Sequence, residues 1–241
     1  MNTTNKTIKQ TVREKLLGHW SEHIVYALIL IALESVFASV AGSIRQANLT
    51  GVIFSLIVSI ILQLLLGLFY AGASYHFLKC LRGEVSAVTD LIAPFKMQPD
   101  RFLIVGLIRL FAGFLVFSPI FLADAYAGAG GPPDALFLFA CVWFVIGGIL
   151  FLFVKAALAM TTFLLLEHPE MGALASVRTS VRMMKGQKVR FVLLLLSFAG
   201  YLILCVFTFG IGLLWVLPYL FASETQFYLE QPGLQTGVPF Q

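Results

Sequence analysis

Residues 135–154 read ALFLFACVWFVIGGILFLFV, twenty positions without a charge. Coiled as an α-helix at 1.5 Å per residue, this stretch is about 30 Å long, the thickness of a bilayer's hydrocarbon core. It is apolar on every side rather than alternating, so it is not a barrel strand, which needs about ten alternating residues. The rest of the chain has the same character. Of 241 residues, 59% are hydrophobic and 12% are charged, and the mean hydropathy is +0.93. A water-soluble fold of this size cannot hide so much apolar surface behind so few charges. The expected fold class is all-α, a polytopic membrane helical bundle.

Working outward from this run, further spans are expected at about 24–43, 52–74, 102–122, 191–209 and 211–229, with the quoted one extending over 135–160. Six spans of about 20 residues consume about half the chain, so residues 1–230 form one membrane domain with no separate soluble domain. Residues 231–241, rich in Gly, Pro and Gln, are expected to be a disordered tail. Gly210 and Gly212 divide the fifth span from the sixth, and Pro218 interrupts the sixth, where a re-entrant segment is the alternative. Ser39-Val40-Ala41 resembles a leader-cleavage site. The 23-residue polar lead before the first span and Glu34 within it favour an uncleaved span instead. Residues 4–22 are expected to form an interfacial amphipathic helix. Ile8, Val12, Leu16 and Trp20 fall on one face, and Lys6, Lys9, Arg13 and Lys15 supply a cationic side.

The formal charge of +4 is explained by membrane orientation. With the N-terminus in the cytoplasm, thirteen Lys and Arg residues fall on the inner side, and Arg45 falls on the outer side. The expected location is therefore the plasma membrane, multi-pass, with a cytoplasmic N-terminus. Two basic residues, Arg109 and Lys155, remain within spans. Glu34 and Arg109 lie at similar depths from the inner face, and an isolated charge there is costly. A Glu34–Arg109 ion pair inside the bundle is therefore expected. Lys155, near the inner end of its span, is expected to snorkel to lipid headgroups.

Residues 172–185 form a second amphipathic pattern. Leu174, Val177, Val181 and Met184 make an apolar stripe, with Arg178, Arg182 and Lys185 beside it. Gly186 is the expected residue just past the helix end. This helix is expected at the inner interface with its cations on anionic headgroups. His76 and His168 are expected to be interfacial and solvated. Cys80, Cys141 and Cys205 match neither a metal-site nor a disulfide spacing and are expected to be reduced thiols. There is no Gly-x-Ser-x-Gly elbow, no His-Glu-x-x-His and no P-loop. No enzyme activity, cofactor, metal or nucleic-acid partner is expected.

One pattern is familiar. Residues 173–186 read Ala-Leu-Ala-Ser-Val-Arg-Thr-Ser-Val-Arg-Met-Met-Lys-Gly. Leu196-Ser197-Phe198 follows, then Phe209-Gly210-Ile211-Gly212, Leu214-Trp215-Val216, Pro218-Tyr219 and Phe227-Tyr228. Upstream are Gly72, Arg82-Gly83-Glu84, Asp90-Leu91 and Phe95. The chain resembles the bacterial integral-membrane family catalogued as domain of unknown function 975. The match is strongest over 173–228. It departs in the fourth span, where Gly147-Gly148-Ile149 stands in for a Pro-Gly-Ile step and leaves the kink of that helix open. The resemblance implies a six-span membrane protein and no activity.

The expected function is thus a non-enzymatic envelope or accessory factor acting through lipid or protein contacts. Its partners would be anionic lipids at the cytoplasmic face, with a second copy or another membrane protein as further partners. The alternative is a small transporter or lipid translocator that uses Glu34 and Arg109.

Overall fold

The computed structural model describes residues 4–18, 20–44, 48–128 and 133–231, and the side chains of all of these except 121–137. The expected tail at 232–241 and the turn at 129–132 lie outside the described residues. Helices α1 (Asn5–Leu16), α2 (Trp20–Ser43) and α3 (Leu49–Arg82) come first. Asn48 caps α3 by accepting the Gly51 amide at 2.9 Å, and Gly83 ends it at φ 78°, a left-handed turn that glycine adopts without strain. A 3₁₀ turn (Val88–Ile92) and the short α4 (Ala93–Lys96) lead into α5 (Pro99–Gly128) and α6 (Pro133–Leu158). The chain finishes with α7 (Thr161–Glu167), α8 (Ala173–Met183), α9 (Lys188–Leu196), α10 (Ala199–Phe207) and α11 (Leu213–Leu229). No strand occurs among the described residues.

Five stretches are long and apolar enough to cross a membrane: Trp20–Ser43, Leu49–Arg82, Pro99–Ile120, Leu138–Glu167 and Lys188–Phe207. The chain is an all-α bundle compatible with a multi-pass membrane protein. The sixth expected span corresponds to α11, which is 17 residues long. The fourth helix does not break at Gly147-Gly148. It runs unbroken to Leu158 and turns at Ala159-Met160 before α7. At Gly147 the glycine serves packing, because an added Cβ would lie 3.5 Å from Val116 O and 3.4 Å from Trp143 Nε1. The Trp143 indole donates to the same Val116 carbonyl at 2.9 Å and ties α6 to α5.

Burial divides the molecule into two storeys. The span windows are only 6–28% buried within the protein, so their apolar side chains face outward. The packed core lies at one end. It is built from Ala73, Phe77 and Leu78 of α3, Met160, Phe163 and Leu164 around α7, Phe191, Leu194 and Phe198, and Phe221, Phe227 and Tyr228 of α11. At 34 residues, α3 is about 50 Å long, well beyond one membrane thickness. Its last turns belong to this packed layer.

The N-terminal helix, expected to be interfacial over 4–22, belongs to the packed layer too. It ends at Leu16, and Trp20 already starts α2. The predicted apolar face is real, but Ile8, Val12 and Leu16 are fully buried in the protein's own core. Apolar surface meets apolar surface either way. Periodicity alone cannot say whether the partner is lipid or protein.

Candidate functional site: the charged end of the bundle

The segments whose cations define the sequence's charge asymmetry meet at the packed end. Six of these thirteen cations, and Asn5 with them, tie one segment to another. Asn5 Nδ2 donates to Arg190 O at 2.9 Å, and Lys15 Nζ to Leu81 O at 2.7 Å, capping the last turn of α3. Lys79 pairs with Asp90 at 3.1 Å, and the same carboxylate accepts the Ala87 amide at 2.9 Å, fixing the 3₁₀ turn against α3. Arg82 pairs with Glu167, whose other oxygen accepts the Tyr228 hydroxyl at 2.5 Å. Arg101 donates to Pro169 O and, at 2.8 Å, to Met171 O. Arg190 pairs with Glu230 at 3.2 Å. The ends of α3, α5, α7, α9 and α11 therefore share one level with the N-terminal helix.

Lys9 sits differently. Its ammonium lies 4.3 Å from the centroid of the Phe198 ring and 5.3 Å from that of Tyr201, and it donates to Ser197 O at 3.1 Å. Partial burial there holds its amine below the usual lysine range. The Tyr219 hydroxyl donates to Lys9 O at 3.2 Å, so α1 clamps both the start of α10 and the middle of α11.

The expected Glu34–Arg109 ion pair does not form. Glu34 accepts from the Tyr70 hydroxyl at 3.2 Å. It also lines a cavity of about 130 Å³ between α2 and α3, with Ser59, Gln63 and four apolar side chains. Arg109 turns to α6 and α7 instead. Its guanidinium donates to Leu158 O at 3.0 Å and to Thr162 Oγ1 at 2.9 Å. The break after Leu158 makes that carbonyl available, and Ser180 likewise takes Ala157 O at 2.8 Å. The opposing charge near Arg109 comes from Glu224 of α11. Lys155, expected to snorkel to lipid, reaches the same Glu224 at 3.5 Å. Sequence reasoning missed Glu224. The available signal was an acid within the apolar sixth segment, the same signal that singled out Glu34.

His76 is not solvated. It is buried, shares a hydrogen bond with buried His23 at 3.1 Å, and stacks on Tyr26 at 3.6 Å. His168 lies more exposed, 3.3 Å from Glu170. Among the described residues, no three His, Cys, Asp or Glu side chains are grouped to hold a metal.

The helix at 173–183 packs its small residues on the protein and turns most of its predicted apolar stripe away from it. Ala173, Ser176, Ser180 and Met184 are buried, and of the predicted stripe Leu174 and Val181 are exposed. Small residues win the inward face because α8 packs closely on α6 and α7. Exposed Arg178, Arg182 and Lys185 share the outer face with Leu174 and Val181, and no acidic residue occurs between Ala173 and Lys188. Gly186 does close the segment, at φ 84°. Gly210 is left-handed at φ 85° beside Phe209 at φ 50°, and a Cβ on Gly212 would sit 2.9 Å from Cys205 Sγ. Pro218 lies buried inside α11.

An all-α bundle of outward-facing apolar helices, capped at one end by a packed and internally paired charged layer, is of a class compatible with multi-pass membrane proteins. Within that class the chain belongs to the family described as protein of unknown function (DUF975), whose family model matches residues 1–232. No curated protein and no solved structure matches it.

Proposed function

We propose that this is a non-enzymatic bacterial plasma-membrane protein that works as an envelope or accessory factor by engaging anionic lipid at its charged end, which faces the cytoplasm. The observation that carries the reading is the outer face of α8. Arg178, Arg182 and Lys185 sit there at helical spacing with exposed Leu174 and Val181 and no acid among them. This is the composition of a surface that rests on headgroups, with apolar side chains dipping below them and cations at phosphate height. Each basic residue near an anionic surface contributes about 1 kcal/mol. The positive-inside count supports the orientation. The transport alternative would place Glu34 and Arg109 on one path; that each has its own partners supports the lipid reading over it.

The test uses the full chain in nanodiscs of mixed phosphatidylglycerol and phosphatidylcholine, read by native mass spectrometry after gentle release. Retention of a defined number of phosphatidylglycerol molecules, lost in an Arg178→Ala, Lys185→Ala variant, is expected. Equal retention of both lipids, unchanged by the substitutions, would overturn the reading. A co-purifying second polypeptide in place of lipid would move the function to a protein partner.

A further inference from the structure

We infer that α9, α10 and α11 form a re-entrant hairpin whose apolar tip, Val206–Ile211, ends among the lipid acyl chains instead of crossing to the far side. The inference rests on the placement of the charged end at one membrane face, not on lipid recognition by α8.

Three observations carry it. The first is reach. Phe221 of α11 stacks on Tyr70 of α3 with centroids 5.8 Å apart, and Glu224 pairs with Lys155 of α6 at 3.5 Å. These contacts set one common level across three helices. From that level α3 runs 21 residues to Leu49, and α6 runs 22 residues to Pro133, about 32 Å each. That matches a full hydrocarbon thickness. The hairpin turns at Phe209, only 12 residues from Phe221 and about 18 Å away. On the other arm, the Lys9 ammonium lies at Ser197 and Phe198, beyond which α10 adds nine residues, about 14 Å. Both arms stop near mid-bilayer.

The second observation is the turn's chemistry. Phe207 and Phe209 are 76% and 96% exposed, and no charged residue occurs between Phe191 and Ser223. The sequence around the other two helix connections is different: Arg45 follows α2, Asp124 lies near the end of α5 and Asp134 at the start of α6. A turn bathed in water has no reason to show only Val, Phe, Ile, Gly and one Thr.

The third is the backbone. In hydrocarbon an unpaired amide costs several kcal/mol, so irregular backbone is tolerated there only when its polar groups are satisfied. Every amide from Thr208 to Val216 donates within the segment. Gly210 N reaches Cys205 O at 2.8 Å, and Gly212 N reaches the Thr208 hydroxyl at 3.1 Å. That hydroxyl in turn donates to Cys205 O at 3.1 Å, so the one polar side chain of the tip is spent internally. Gly212 lets the turn close tightly, since a Cβ there would lie 2.9 Å from Cys205 Sγ and 3.1 Å from Thr208 Oγ1. The turn's amides need no water.

The test is depth. Cys80, Cys141 and Cys205 are replaced by Ala, and Phe209→Cys is spin-labelled in the full chain reconstituted in liposomes. Collision with dissolved oxygen is then compared with collision with a water-soluble nickel chelate. Oxygen dominance at 209, with nickel dominance at a Leu49→Cys control, is expected. Nickel access at 209 equal to that at 49 would mean a full span and would overturn the inference. Nickel exclusion at 49 as well would mean that the common level is misplaced in the membrane. A second variant avoids the cysteine background. Phe209→Asp should cut the yield of folded protein at least tenfold if the tip lies in hydrocarbon, whereas normal yield would also overturn the inference.

Discussion

At the residue scale, single atoms decide which changes the fold tolerates. A Cβ on Gly72 would lie 2.1 Å from Leu91 O, a backbone atom that cannot swing aside. Gly72→Ala should therefore destabilise the protein by about 2 kcal/mol or more, lowering Tm in mild detergent by roughly 4–8 °C. Gly67→Ala, with nothing within 4 Å, should leave Tm unchanged or slightly raised. The charges within the apolar helices make a second prediction. In double-mutant cycles, Arg109→Gln with Glu34→Gln should be additive within about 0.5 kcal/mol, because the two side chains have separate partners. Arg109→Gln with Glu224→Gln should be non-additive by more than that. Additivity in the second cycle would show that Glu224 does not stabilise the arginine.

At the scale of elements, α1 and α8 are two amphipathic helices with opposite fates. The first inserts Ile8, Val12 and Leu16 into the core and leaves its charged side outside. Leu16→Ala should cost about 2–5 kcal/mol, as for other buried leucines, and thermal unfolding in detergent should register it. A helix resting only on lipid would lose far less in detergent. The second helix turns its serines inward and its leucine outward. Ser176→Leu should prevent close packing and yield little folded protein, whereas Leu174→Ser should fold normally and reduce retention of phosphatidylglycerol. Size-exclusion profiles of the two variants separate these outcomes.

At the scale of the whole molecule, the protein is a sparse, outward-facing set of apolar helices held together by one dense layer at their ends. Stability is concentrated where α1, α3, α7, α9 and α11 meet. Hydrogen exchange should show its slowest amides at 73–78, 160–166 and 221–228, with faster exchange in the middle of α2, once detergent replaces lipid. The proposed lipid contact is electrostatic and lies at the surface. Raising salt from 0.1 M to 1 M shortens the Debye length from about 10 Å to about 3 Å and should release most of the bound phosphatidylglycerol. The partly buried Lys79–Asp90 pair should be less affected by the same change.

Composition and periodicity were enough to establish the helical class, the apolar stretches and the gathering of cations. These follow from free energies that each residue brings with it: transfer from water, charge at an interface, and backbone pairing. Glycine breaks at Gly186 and Gly210 were legible for the same reason, because conformational freedom belongs to the residue. Which surfaces meet was not legible. Both amphipathic patterns were correct as patterns. Only the fold could decide that Ile8, Val12 and Leu16 face protein and that Leu174 faces outward, since apolar burial is non-directional. The charges follow the same logic. Sequence depth placed Glu34 and Arg109 together, but an ion pair needs atoms within a few ångströms. Those distances were set by the break after Leu158 and by Glu224 arriving on α11 from more than a hundred residues away.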